Sequence, residues 1–277
     1  MQNKLFVLIS TIDSRILNLK NIVQKNNIET TYIISHQVTK TLEKECQNYI
    51  DTLEHREDVI YDSLCSMGVA KNRNNTLRFI EPKSICLILD DDVLLCQDIF
   101  KNVIKAFNDN LNADFISFKI LDLEGKDYKS YPKEIQWHTS RTLTGIGTTE
   151  IAFRSELVLD NKIVFDEDFG PGAKRYPMGE DFIFAMDIHN SKAKMLFVPI
   201  AIVKHPRVST GSSLDAKVIF ARGAVFARVF GRWAYMLNMY FSLKHKKMYK
   251  NSLSFASYLR LMTKGSYAFL RRRRNDA

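Results

Sequence analysis

The chain has 277 residues, 45% of them hydrophobic, enough for the packed core of one large or two small domains and too many for a disordered polypeptide. No run of about 20 uncharged apolar residues occurs, and Met1-Gln2-Asn3-Lys4 leads straight into a short apolar strand, so neither a membrane span nor a signal peptide is expected. The net charge of +9 conceals a division: residues 217–277 carry 14 Lys/Arg against one acid, Asp276, a net +13, whereas residues 1–216 carry 26 against 30, a net −4. Such asymmetry suggests a tail that meets a polyanion, either membrane lipid or nucleic acid. Cys46, Cys65, Cys86 and Cys96 show no metal or redox spacing, which fits a reducing compartment and gives no sign of a disulfide framework.

In chain order, residues 5–10 read as a buried strand and residues 15–25 as a helical stripe of Ile16, Leu17, Leu19, Ile22 and Val23. A second strand is expected over 31–35, a polar helix over 42–53, a short strand over 59–61, and a helix over 69–80 closed by Glu81-Pro82. The apolar run 84–89 reads as a fully buried strand, followed by an amphipathic helix over 99–108 and a strand over 114–119. This alternation predicts a mostly parallel sheet covered on both faces, an α/β fold. Residues 121–147 lose all periodicity but hold Tyr128, Tyr131, Trp137 and His138, the kind of long irregular segment that often builds a substrate site. Strands over 148–153 and 195–203 enclose a helix over 181–189; Pro199 near the middle of the last strand predicts an edge or a bulge.

The chemistry concentrates where the strand 84–89 runs into Asp90-Asp91-Asp92. Ligands in open α/β sheets bind at the carboxyl ends of strands. Three adjacent carboxylates there repel one another unless a cation sits among them, and oxygen ligands favour Mn²⁺ or Mg²⁺, metals that serve a substrate phosphate. A second acidic pair, Glu180-Asp181, opens a helix behind Gly179, where ordinary capping and the helix dipole would also account for it. His205, after the last strand, is either a structural residue or a metal ligand. Arg73, in Gly68-Val69-Ala70-Lys71-Asn72-Arg73-Asn74, could fork onto phosphate or belong to a solvated helix start.

Taken in order, these elements resemble the large inverting glycosyltransferase family with the GT-A fold, family 2, of the type that builds bacterial surface polysaccharide such as O-antigen or capsule. Asp90-Asp91-Asp92 resembles its DxD motif, Glu180-Asp181 its ED motif, and Gly68 to Asn74 its GLSxxRN stretch, with Val69-Ala70 in place of Leu-Ser. Ser10-Thr11-Ile12-Asp13 stands where the family has Pro-Thr-Tyr-Asn, and Ser35-His36-Gln37 replaces an Asp-rich strand end. The resemblance covers residues 4–210 and implies a nucleotide-sugar donor, UDP-linked foremost, and a glycan or lipid-linked glycan acceptor. It implies Asp181 as the base with Glu180 beside it, and a Mn²⁺ or Mg²⁺ ion on Asp92 and His205. Thr11, Asp13, Gln37, Arg73, Asp90 and Asp91 would hold the donor. Gly172 and Trp137 would serve the acceptor or a lid, the segment 169–176 closing over the donor. Work on the cytoplasmic face of the plasma membrane, as a peripheral enzyme, is the implied location.

The expected division is a catalytic domain over 1–215 and a basic helical extension over 216–277. At 100° per residue Ile219, Phe226, Phe230, Trp233 and Leu237 share one face of a helix over 217–241, with Lys217, Arg228 and Arg232 on another and Arg222 between. Such a helix either lies in an anionic membrane surface or packs its aromatic face on the catalytic domain. Residues 252–274 repeat the style and end in Arg271–Arg274. In the membrane reading the extension is dispensable for chemistry on a soluble acceptor. Two other functions use the same features: a metal-dependent nucleotidyltransferase or other phosphate enzyme would also cluster aspartates, and a nucleic-acid-binding protein would use the basic tail. The acidic body, and aromatics set on a helix face with no stacking platform, argue against nucleic acid.

Overall fold

The computed structural model describes residues 4–24, 30–206 and 215–275. The apolar runs become parallel strands β1 (Lys4–Ile12), β2 (Thr30–Gln37), β3 (Val59–Leu64) and β4 (Ser84–Asp90), in the spatial order β3-β2-β1-β4. A 3₁₀ helix (Asp13–Asn21), α1 (Lys44–Glu54) and α2 (Val69–Leu77) connect them. Alternate residues point to opposite faces. Leu5, Val7, Ile9, Leu87 and Leu89 enter one core with Ile16, Leu19 and Ile50, whereas Phe6, Leu8, Cys86 and Ile88 enter the other with Ala70 and Leu77. Burial on both faces explains why these strands read as continuous apolar runs.

Beyond β4 come β5 (Leu94–Leu95), α3 (Ile99–Asp109), β6 (Phe115–Leu121), β7 (Gln136–Trp137), β8 (Ile151–Arg154), α4 (Ser155–Asn161), α5 (Glu180–Asn190) and β9 (Met195–Lys204). The sheet continues β4-β8-β6-β9-β5, with β8 antiparallel to both neighbours and β9 parallel to β6. Pro199 gives a bulge: Ser117 pairs with Phe197 and Lys119 already with Ala201. The short strands β7 and β5 pair with opposite ends of β9. The irregular stretch before β8 is held by a buried carboxylate, Glu150, which accepts from Lys129 Nζ at 2.5 Å and from Tyr131 Oη at 3.2 Å.

The C-terminal part forms α6 (Ala216–Phe230), α7 (Ala234–Lys244), α8 (Lys246–Tyr249) and α9 (Phe255–Asn275). The single helix expected over 217–241 is broken at Gly231, whose φ of +57° ends α6. The shared aromatic face is therefore divided. Phe226 and Phe230 pack inward, Phe230 lying 6.3 Å from the Phe182 ring, while Trp233 is 70% exposed. Helices α6 and α9 cross at Gly223 and Gly265, where a Cβ on either would fall inside a backbone carbonyl of the other helix, Met262 or Phe220. Ser266 Oγ donates to the Gly223 carbonyl at 2.7 Å, and Asn238 of α7 donates to Ser266 at 2.8 Å.

This helical part is fastened to the sheet body. Arg228 forks onto Asp187 at 2.8 and 3.1 Å and reaches Asp166 at 2.7 Å; Arg272 bonds Asp168. Phe269 packs with Phe169 and Tyr176, and Val225 fills the space that a side chain at position 179 would need. Phe169, Tyr176 and Ile183 of the body thus share one buried cluster with Ala221, Ala224, Val225 and Ala227 of α6 and Phe269 of α9. Through Val225, α6 braces the turn that starts α5. Among the described residues, no helix is long and apolar enough to cross a membrane.

Candidate functional site

Parallel strands β1, β4 and β9 end at one edge of the sheet. Ser10 pairs with Asp90, so Thr11 stands one residue further along, beside the acid block. Buried Asp91 accepts from Thr11 Oγ1 at 2.6 Å, and the Arg15 guanidinium donates to Asp91 and, at 3.0 Å, to Asp92. Burial pushes the Asp91 carboxyl up to about 6, against the opposing pull of Thr11 and Arg15. The chain thus answers its own run of acids partly with a cation.

Asp92 Oδ1 lies 3.4 Å from His205 Nε2, a contact that holds Asp92 below the usual carboxylate range and raises His205 above the usual imidazole range. The ring is fixed from behind: Nδ1–H donates to the Pro206 carbonyl at 2.7 Å, and the Tyr128 ring meets it edge-on. Neutral His205 therefore offers its Nε2 lone pair toward Asp92, the orientation a metal-ligating histidine needs. One donor atom each from Asp90, Asp92 and His205 lies within 4.8 Å of the others. Two carboxylate oxygens and one imidazole nitrogen suit Mn²⁺ well, and Mg²⁺ if water or phosphate completes the shell.

The second acidic motif reaches the same place through Arg73. Gly179, at φ +100°, starts α5 and sets Glu180 and Asp181 in its first turn. Arg73, buried on α2, donates through Nη1 to Glu180 at 3.1 Å and Asp181 at 2.8 Å, and through Nη2 to Asp90 at 3.0 Å. Burial alone would lower the pKa of this guanidinium; Asp90, Asp181 and Glu180 outweigh it and raise the pKa above its ordinary value. The Phe165 ring lies 5.5 Å from it. Glu180 is pushed well above the usual carboxylate range by burial and by Asp181, and Gly170 covers it so closely that a Cβ there would stand 2.8 Å from its Cδ.

Other expected residues fall around this centre to different degrees. Asn72 on α2 donates to the Thr11 carbonyl at 2.9 Å, and Gln37, at the end of β2, donates to the Gly68 carbonyl at 3.0 Å. Asp13 accepts from the Thr39 backbone at 2.8 Å and hydroxyl at 2.7 Å, closing the turn after β1. Gly172 packs on the Gly68 backbone, where a Cβ would be 3.0 Å from the Gly68 nitrogen. The segment 169–176 is tied at several points: Val69 N–H donates to the Pro171 carbonyl at 2.9 Å, Gly170 N–H to Tyr176 at 2.9 Å, and the Phe169 and Tyr176 rings stack at 4.6 Å. A closing motion there would have to break these contacts.

Trp137 is not brought to the site. It pairs with Leu196 near the start of β9, whereas His205 follows the end of that strand, roughly 25–30 Å away at the usual rise per residue. Conversely, Arg15 is at the site without having been expected there. The only signal was a cation five residues past the end of the apolar run 5–10, at the same edge as the acids, and the helical stripe beginning at residue 15 masked it.

No protein-family model and no curated protein matches the chain. Solved structures do. S. aureus TarS 1–349 superposes with a TM-score of 0.62 at 17% identity, over 96% of this chain and 91% of that one. The same protein in complex with UDP-GlcNAc gives 0.64 at 18% identity over the same shares, and in complex with UDP 0.61 at 16%, over 96% and 83%. At such identity the likeness shows the fold: α/β with a mostly parallel central sheet, the GT-A architecture expected from the sequence.

Proposed function

We propose that the chain is a metal-dependent inverting glycosyltransferase, carrying a sugar from a nucleotide sugar, UDP-linked, to a hydroxyl of a glycan or lipid-linked glycan in surface polysaccharide assembly. The observation that carries this reading is Arg73, whose guanidinium joins Asp90 of one acidic motif to Glu180 and Asp181 of the other, with Asp92 and His205 alongside. The fold shared with a protein solved with UDP-GlcNAc and with UDP supports it.

In this reading Asp90, Asp92 and His205 hold Mn²⁺ or Mg²⁺, which when bound supplies positive charge to a leaving diphosphate. Thr11, Asp13 and Gln37 face the nucleoside side, and Asp91 keeps its carboxylate to the strand end and Arg15. Asp181, held at 2.8 Å by Arg73, takes the proton of the acceptor hydroxyl as that oxygen attacks the anomeric carbon. Arg73 keeps Asp181 aimed. One base with no enzyme nucleophile makes the reaction a single displacement, hence inversion. The basic helices bring the site to the cytoplasmic face of the membrane, where a lipid-linked acceptor lies.

The test is a panel of nucleotide sugars with Mn²⁺ and simple glycan acceptors. Acceptor-dependent release of a nucleoside diphosphate, with an inverted anomeric configuration in the product by NMR, is expected. Release of pyrophosphate from a nucleoside triphosphate and a sugar phosphate would instead favour a nucleotidyltransferase.

A further inference from the structure

A surface helix ordinarily turns its apolar residues inward and its polar ones to water. Helix α7 does the reverse. Its buried residues are Ala234, Asn238 and Ser242, small or polar, packed on α9 through Asn238–Ser266 and Ser242–Met262 contacts. Of its six exposed residues five are apolar or aromatic, Tyr235, Met236, Met239, Tyr240 and Leu243, and the sixth is Lys244. Trp233 precedes them, so that Trp233, Met236, Tyr240 and Leu243 recur at helical spacing on the outside. Both ends of this stripe are basic: exposed Arg232 at one, exposed Lys244, Lys246 and Lys247 at the other. Beside it a groove of about 640 Å³ between α7 and α9 has Tyr235, Phe255, Leu259 and Tyr267 on its walls and Arg260 and Lys264 at its rim.

We infer that α7 is the element that seats this protein on an anionic bilayer, its apolar stripe at the boundary of headgroups and acyl chains and its flanking lysines and arginines at lipid phosphates. The inference deepens the peripheral-membrane part of the proposed function and rests on it. Charge decides the occupant. No acid occurs in residues 216–275, which hold 14 Lys/Arg, so a second copy of the chain docking through the same face would bring two strongly positive surfaces together. Nucleic acid would match the charge but has no use for Met236, Met239 and Leu243. An anionic membrane satisfies both the charge and the apolar stripe, and the pairing of Trp and Tyr with Lys and Arg is that of interfacial helices. The Phe226 and Phe230 face cannot serve, being packed against the body.

The experiment is vesicle flotation of the full chain, with phosphatidylcholine alone or mixed with phosphatidylglycerol. The comparison variants are Met236→Ser/Tyr240→Ser/Leu243→Ser and Lys246→Gln/Lys247→Gln. All five substituted positions are exposed, so melting temperatures should stay near the parent's. The parent is expected to float with the anionic vesicles only. The triple variant should lose about tenfold or more in vesicle affinity at every salt concentration, because the lost contact is apolar burial. The double-lysine variant should be weakest relative to the parent at low salt and converge with it as salt rises. Equal flotation of triple variant and parent, or equal capture of the parent by neutral vesicles, would overturn the inference. So would a parent dimer in light scattering that ignores vesicles and that the triple substitution dissociates. Sugar transfer to a soluble acceptor is measured on the same samples: its absence throughout would overturn the proposed function while leaving the flotation result standing.

Discussion

The acid-rich edge of the sheet and the basic helical part solve opposite problems. At the sheet edge, charge is buried or half-buried and must be answered: Asp91 by Thr11 and Arg15, Asp90, Glu180 and Asp181 by Arg73, while the more exposed Asp92 meets His205. In the helical part, apart from buried Arg222, which donates to Tyr258 Oη at 2.8 Å, charge stays nearer the surface, and small residues, Gly223, Gly265, Ser266 and Asn238, let α6, α7 and α9 approach closely. The first arrangement is costly unless every partner is present, which is why it marks chemistry. The second is held by shape, and its apolar excess is left outside. Substitutions should separate the two: at the edge they should change reactivity more than stability, and in the helices the order should reverse.

The largest effect is expected at the edge. Asp92→Ala should abolish transfer, as should EDTA, with Mn²⁺ restoring activity after chelation of the parent but not of the variant. Undiminished turnover in chelator would contradict a metal role for Asp92. Asp181→Asn should lower turnover by about 10²–10⁴, the usual scale for a lost general base, with donor affinity largely kept. A collapse of donor affinity with normal turnover at saturation would make Asp181 a binding residue.

A helical substitution should act next, and through stability. Gly223→Val drives a side chain into the Met262 carbonyl and should cost about 1–3 kcal/mol in urea unfolding, or more if α6 and α9 must part. Activity should fall with it, since Val225 of the same helix braces Gly179 ahead of Glu180 and Asp181. An unstable variant with normal turnover would show that the helices and the base are not coupled. Trp233→Ser, on the exposed stripe, should stay within about 0.5 kcal/mol of the parent in the same unfolding measurement.

The smallest effect is one of pH. The folded protein holds the Glu180 proton more tightly than the unfolded chain does. Stability from this group is therefore lost as pH rises from the ordinary carboxylate range through the raised value. Glu180→Gln has no such proton to lose. Its melting temperature should gain on the parent's across that window, and a pH-independent difference would refute the account of burial and Asp181 acting on Glu180.

What was legible in the sequence follows the same division. Asp90 to Asp92, Glu180-Asp181, Arg73 and His205 could be picked out because each is a residue type whose placement next to an apolar run has a cost. The structure brings Asp90, Glu180 and Asp181 together on Arg73, with His205 against Asp92 beside them. Arg15 escaped notice because its partners are brought to it by the turn after β1, which no spacing encodes. Trp137 was drawn in by its residue type alone, from a stretch with no period to say at which end of β9 it would lie. The apolar runs revealed the strands but not their direction, so antiparallel β8 could not be told from a parallel strand. In the helical part, a face projected at 100° per residue presumes an unbroken helix, and Gly231 breaks it. The inverted faces of α7 were hidden in the same way, because periodicity identifies an apolar stripe without saying whether it turns inward.

The central claim is that Asp90, Asp92 and His205 form a cation-dependent diphosphate site, and calorimetric titration of UDP into the full chain tests it without knowledge of sugar or acceptor. The account predicts that Mn²⁺ strengthens UDP binding in the parent by tenfold or more and leaves Asp92→Asn unchanged. Equal UDP affinity with and without Mn²⁺ in the parent, or the same strengthening in the variant, would contradict it.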